Sequence, residues 1–216
     1  MHAFMSYQTD ERVTAAKVSE LLNKMGITSF MAHEHIEVSV EWRIEIIRQL
    51  GLADLFVAIL SKKYYDSIWC KQESGIAAFR AMTIIPLSID GSIPQGFIGH
   101  IQSTKISLDA PTFKDLIPGL AKQDVSFVVD AVTKIISGST NYRKAESNFE
   151  LILPYLDRAT DAQITELLKV STRNNQVCNA GLCAQTYLPP LLAVHGHLLD
   201  AATKKELDET LNRYKK

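Results

Sequence analysis

Residues 55–75 read LFVAILSKKYYDSIWCKQESG. The first six are apolar without a break, as a strand covered on both faces of a sheet requires, rather than alternating as a half-exposed strand would. A polar connection follows, and then Asp66 or Ser67 stands where a side-chain oxygen can cap a helix by accepting from its free N–H groups. A buried strand handing over to a helix is half of a strand–helix–strand unit, and the rest of that unit lies on either side.

Upstream, residues 2–7 (HAFMSY) read as a strand, and residues 10–25 place Val18, Leu21, Leu22 and Met25 on one helical face before Gly26 stops the helix. Residues 27–32 (ITSFMA) form a second strand, followed by the polar loop HEHIEVS and a helix near 40–50 carrying Trp42, Ile46 and Ile47. Downstream, residues 83–89 (TIIPLSI) give a fourth strand, with Pro86 marking a possible irregularity in its ladder, and residues 104–108 (TKISL) a fifth. Strands separated by helices call for a parallel sheet with right-handed crossovers and helices on both faces. The expected fold is α/β, a flavodoxin-like five-stranded parallel sheet of order 2-1-3-4-5. Ligands of such sheets bind outside the carboxyl ends of the strands, where the order reverses between the first and third. That edge collects Ser6, Tyr7 and Gln8, the loop 33–39 and the connection 61–69.

A helix is expected from about residue 112 until SGSTN, residues 137–141, breaks it, which sets the first domain at 1–137. Residues 142–216 carry helical patterns only, at 142–156, 161–171, 177–194 with an interruption at Pro189 and Pro190, and 204–214. They read as a small helical appendage without a chemical motif.

The 216 residues are 46% hydrophobic with a formal net charge of -1, enough to bury a core and too evenly charged to gather nucleic acid through a long-range field. No run approaches the roughly 18 apolar residues of a membrane span, and MHAFMSYQTDER lacks a signal-peptide pattern. Cys70, Cys178 and Cys183 fit no disulfide framework or zinc spacing, so the expected setting is cytoplasmic, with no nucleic-acid or membrane partner. His33 with His35 and His195 with His197 lack a third ligand at useful spacing, so no metal site is expected. Asp10 and Glu11 after the first strand are reminiscent of a phospho-accepting receiver, but Ser61 stands where that chemistry needs an aspartate. Neither G-x-G-x-x-G nor a phosphate loop occurs.

Trp69 and Glu73 lie one helical turn apart beside the sheet's ligand edge. Spacing leaves two readings open: a tryptophan packed on the sheet beside a solvated acid, or a ring and a carboxylate facing a ligand.

Several segments in order carry a resemblance. HAFMSY, SFMAHEHIEVSVEW, ILSKKYYDSIWCKQE and IIPLSID, with the later segment Pro94-Gln95-Gly96-Phe97-Ile98-Gly99, resemble the Toll/interleukin-1 receptor (TIR) domain, most closely the bacterial TIR-like proteins, over residues 1–137. The resemblance implies an enzyme that cleaves the nicotinamide–ribose bond of NAD, giving nicotinamide and ADP-ribose or a cyclic ADP-ribose-type signal, in antiphage or immune signalling. NAD is then a substrate and no cofactor is implied. Glu73 takes the place of the family's essential acid in W-x-x-x-E, with Trp69 beside it, and Ser6, Tyr7, Gln8, His33 and Glu34 take the positions that frame the nucleotide. The second loop departs from the commoner family form, which has aspartate at the position of Ala32 or His33 and a small pair near Val38 and Ser39. The resemblance also implies self-association through TIR surfaces, and the appendage is a candidate for binding an effector or regulatory protein. Two rivals remain: a non-catalytic TIR protein–protein interaction module, and a nucleoside deoxyribosyltransferase-like enzyme, which also sets a glutamate near ribose.

Overall fold

The computed structural model describes residues 1–32 and 42–214. The chain forms two compact units, Met1–Gln123 and Asp124–Lys216.

The first unit is built on strands β1 (His2–Ser6), β2 (Thr28–Met31), β3 (Leu55–Leu60), β4 (Thr83–Ser88) and β5 (Thr104–Lys105). All pairs are parallel and the order is β2-β1-β3-β4-β5, the expected doubly wound arrangement. β3 is buried along its whole length, as its unbroken apolar run requires. Phe4 of β1 stacks on Phe56 of β3 at 5.9 Å between ring centroids and meets Phe30 of β2 at 5.5 Å, so neighbouring strands are locked by aromatic pairs on one face. The fifth strand is shorter than expected, two residues, and pairs only with Leu87 and Ser88. At Pro86 the sheet therefore has a partner strand on one side only, a position at which a missing N–H is tolerated, and pairing with β3 continues through it.

Among the described residues the unit also holds helices α1 (Arg12–Lys24), α2 (Trp42–Leu52), α3 (Lys62–Asp66), α4 (Ile68–Phe79) and α5 (Phe113–Gln123). Helix α1 buries Ala15, Val18 and Leu22, and the chain leaves it through Gly26 at a φ of 82°, a left-handed conformation that glycine adopts without strain. In α5, a Cβ added to Gly119 would lie 2.8 Å from Cγ1 of Ile85 in β4 and 3.2 Å from its Cγ2, both fixed to a branched carbon that cannot swing aside. Gly119→Ala should therefore destabilise the protein by about 1–2 kcal/mol, despite alanine's better helix propensity, because overpacking exceeds that gain. A denaturant melt that left the midpoint unchanged or raised it would contradict this close approach.

The second unit is helical, with α6 (Val125–Ser137), α7 (Tyr142–Glu150), α8 (Asp161–Arg173), α9 (Asn175–Cys178), α10 (Leu188–His195) and α11 (Ala201–Asn212). Two features differ from the sequence reading. The helix expected to run from about 112 to 137 is two helices, because Asp124 takes an extended conformation and its side chain accepts from the N–H of Phe127 at 2.9 Å, capping α6. Helix α6 then belongs to the second unit, and the division falls at Gln123 and Asp124 instead of after residue 137. The irregularity expected at Pro189 and Pro190 is a π-helical stretch, Cys183–Tyr187, that runs directly into α10, so the prolines alter the hydrogen-bond pattern of the turn before them without ending the helical run.

Candidate active site

Two serine caps at the carboxyl end of β3 set the site. Ser61 Oγ accepts from the N–H of Tyr64 at 3.0 Å and starts α3, and Ser67 Oγ accepts from the N–H of Cys70 at 3.3 Å and starts α4. The connection read from sequence as polar loop is thus mostly one short helix, and it turns the ring of Tyr64 fully into the core. Helix α4 buries Cys70, Glu73, Ser74 and Ala77, the i, i+3, i+4, i+7 stripe that faces a core. Glu73 occupies a position on that stripe where an apolar residue would ordinarily stand. It is 7% exposed.

Burial of a carboxyl group demands a partner, and β1 supplies it. Ser6 Oγ donates to Glu73 Oε2 at 2.5 Å, and Ser6 also meets the Tyr64 hydroxyl at 3.0 Å. The Tyr64 hydroxyl meets Ser74 Oγ at 2.8 Å, and Ser74 Oγ donates to the Cys70 carbonyl at 2.8 Å. Loss of hydration on burial raises the Glu73 carboxyl to about 7, and the bond from Ser6 moderates the rise. Burial also pushes the Tyr64 phenol far up, so it remains a neutral O–H donor, and lifts the Cys70 thiol to about 11, so Cys70 is no ready nucleophile.

Glu73 also lines a cleft of about 710 Å³, within the range of small-molecule sites. Its walls are largely apolar, with Ile46 and Ile47 from α2, Trp69 and Ile76 from α4 and Phe97 from the turn Gly96–Ile98, while Arg43 of α2 brings a cation to the lining. Trp69 is 37% exposed and packs against Trp42 with ring centroids 4.1 Å apart. It therefore forms part of the cleft wall and does not pack flat on the sheet.

The residues singled out from sequence fall unevenly. Trp69 and Glu73 line the cleft together, and Ser6 bonds Glu73 but stands outside that lining. Tyr7, which follows the last residue of β1, is buried and does not line the cleft. Gln8 is absent from that lining as well; its side chain accepts from the Thr9 N–H and caps the turn Thr9–Glu11. His33 and Glu34 lie outside the described residues. Sequence reasoning missed Tyr64, Ser74 and Arg43; a stripe of Cys70, Glu73, Ser74 and Ala77 was the one available signal that Glu73 points inward.

A second buried acid sits nearby on the same sheet edge. Ser61 Oγ donates to Glu11 Oε1 at 2.8 Å, and burial raises this carboxyl too. Ser61 thus bridges Glu11 and the start of α3, at the position where a receiver would hold its phosphorylatable aspartate. Among the described residues, no group of three or more His, Cys, Asp or Glu is placed to hold a metal ion, and no helix is long and apolar enough to cross a membrane.

A family model described as TIR domain matches residues 3–117, more than half of the chain. The chain belongs to the TIR-domain family. Among solved structures it is similar to the TIR domain of the Toll-related receptor TRR-2 from Hydra magnipapillata, at 15% identity over 56% of this chain and 92% of that one, with a TM-score of 0.45. No curated protein matches the chain. The family match ends at residue 117, so the TIR domain lies within the first unit and the helical second unit falls outside it.

Proposed function

We propose that this TIR-domain protein cleaves the bond between nicotinamide and ribose in NAD, with Glu73 as the acid on which the chemistry depends. The observation that carries the reading is that one carboxyl group is both buried on the helix stripe and part of the lining of a nucleotide-sized cleft. A carboxylate kept from solvent is costly to maintain and is seldom placed so without a charge to meet.

The reaction suits a single acid. As the bond from ribose C1′ to the ring nitrogen breaks, its electron pair neutralises the pyridinium, so nicotinamide leaves without needing a proton. Positive charge develops on the ribose as an oxocarbenium-like centre. A carboxylate held beside that centre in a poorly hydrated site stabilises the transition state more than the ground state. Water then adds to C1′ and loses a proton, giving ADP-ribose; attack by an adenine nitrogen instead gives a cyclic product. Ser6 fixes the carboxylate, Trp69 walls the ring side of the cleft, and Arg43 meets the pyrophosphate. A bacterial-type role in antiphage or immune signalling is what the resemblance of the sequence segments implies, and His33 and Glu34 belong to the same reading as nucleotide-framing positions.

The test is release of nicotinamide from NAD by the full chain, followed by chromatography at rising protein concentration, since assembly of TIR surfaces is part of the reading. Release that scales with protein is expected; none at any concentration or with crowding agent would overturn it. One observation favours the non-catalytic association module: Phe79 and Phe97, which rim the cleft, are 91% and 81% exposed. Concentration-dependent association without nicotinamide release would select that reading.

A further inference from the structure

Four buried side chains stand in line within the first unit: Glu73, Ser6, Tyr64 and Ser74. The oxygen separations along the line are 2.5 Å from Glu73 to Ser6, 3.0 Å from Ser6 to Tyr64 and 2.8 Å from Tyr64 to Ser74. Tyr64 carries one proton and has three acceptors within reach, the hydroxyls of Ser6 and Ser74 on either side and, farther away at 3.4 Å, the Cys70 carbonyl. Ser74 disposes of its own proton on the Cys70 carbonyl, so its oxygen is open to Tyr64. While Ser6 gives its one proton to the Glu73 carboxylate, its oxygen still has lone pairs for another donor, and Tyr64 is placed to be that donor.

We propose that Tyr64 is a positioning residue for Glu73: its phenol swings its proton to Ser6 as Ser6 donates to the carboxylate, forming a two-step hydroxyl relay that holds and stabilises the ionised acid without touching the cleft. The carboxylate depends on this relay more than the neutral acid does. Bonds to an ionised acceptor are roughly twice as strong as neutral ones, and donors in series polarise one another. The neutral acid has a second outlet, because Glu73 lines the cleft and can turn its O–H into it. Of the other ionisable groups near Glu73, the Cys70 thiol on the same helix stays neutral and also meets Ser6, where it is at most a weak S–H donor beside the stronger phenol, and Arg43 approaches from α2 on the cleft side.

The relay rests on the reading above for its catalytic consequence, while its effect on the acid is measurable without turnover. The measurement is the titration of Glu73 in the substrate-free protein labelled with carboxyl-¹³C glutamate, its resonance identified by its disappearance in Glu73→Gln. Tyr64→Phe keeps the buried ring and removes the donor; the Glu73 midpoint should rise by about one pH unit, a tenfold weaker ionisation. Site-specific 3-fluorotyrosine at position 64, a stronger donor of nearly the same shape, should lower it. In a Ser6→Ala background Tyr64→Phe should produce no further change, because the effect passes through Ser6. A midpoint unmoved by Tyr64→Phe, shifts of the same sign from both replacements, or a Tyr64 effect that persists without Ser6 would overturn the relay. If these titrations respond as stated while the protein releases no nicotinamide, the relay stands and the NAD reading fails. Release of nicotinamide with an unresponsive titration has the opposite meaning.

Discussion

Glu73→Gln is expected to lower nicotinamide release from NAD by about a thousandfold or more while leaving the protein folded. The estimate follows from what the substitution removes. Glutamine has nearly the same shape, its carbonyl still accepts from Ser6, and no cavity is made, but the negative charge that meets the developing oxocarbenium centre is gone. Loss of one preorganised electrostatic contact made mainly in the transition state costs about 3–4 kcal/mol, or two to three powers of ten, and loss of a full charge at close range lies at or beyond the upper end. Because the charge matters most as the bond breaks, kcat should fall far more than KM changes. Glu11→Gln is the matched control: it also neutralises a buried acid held by a serine, Ser61, but that acid does not line the cleft. Its rate should stay within severalfold of the parent. Full activity in Glu73→Gln would end the assignment, and equal losses in both variants would show that fold integrity, not the placement of one carboxylate, governs the rate.

Much of the architecture was legible because the signals were long or local. The unbroken apolar run of β3 fixes a strand buried on both faces, and the alternation of strand and helix around it leaves few topologies, of which the observed order is one. Misreadings occurred where one polar side chain decides the outcome. Asp124 splits a helix by capping its second half, a role indistinguishable in sequence from that of a surface acid in a continuous helix. The two-residue β5 depends on what β4 offers beyond Pro86 and has little pattern of its own.

The candidate site was half legible for the same reason. Trp69 and Glu73 are near neighbours in sequence, whereas the bond between Ser6 and Glu73 joins residues 67 positions apart and exists only once β1 lies beside β3. Tyr64 was hidden because the segment KKYYD reads as a polar connection; only its serine cap turns the ring inward. That Ser6 and not its neighbour Tyr7 bonds the acid depends on where α4 packs, which sequence spacing does not reveal.

Activity and stability should move in opposite directions with pH, and the same carboxyl group should drive both. In the substrate-free protein Glu73 is raised from 4.5 to about 7, chiefly by burial. If the reaction needs the carboxylate, kcat/KM for NAD should approach a tenfold fall for each pH unit well below that midpoint, about fiftyfold between pH 7 and pH 5, and level off above it. Bound NAD places a positive ring near the carboxylate and favours its ionised form, so the profile of kcat itself should lie at lower pH than that of kcat/KM. Folding has the reverse sign. Between pH 4.5 and about 7 the unfolded chain has released this proton and the folded chain retains it, so the unfolded state binds fewer protons and stability declines as pH rises. The contribution is fully present below the lower value and lost above the upper, about 3 kcal/mol across the window. Glu73→Gln removes this dependence: denaturation midpoints of variant and parent should converge near pH 4.5 and separate in the variant's favour by pH 8, leaving the smaller slope that Glu11, raised in the same direction, contributes to both. A parent whose stability rises from pH 5 to pH 8, or a variant that tracks it in parallel, would show that Glu73 is solvated in solution, and the steep acid limb of the NAD profile would lose its cause.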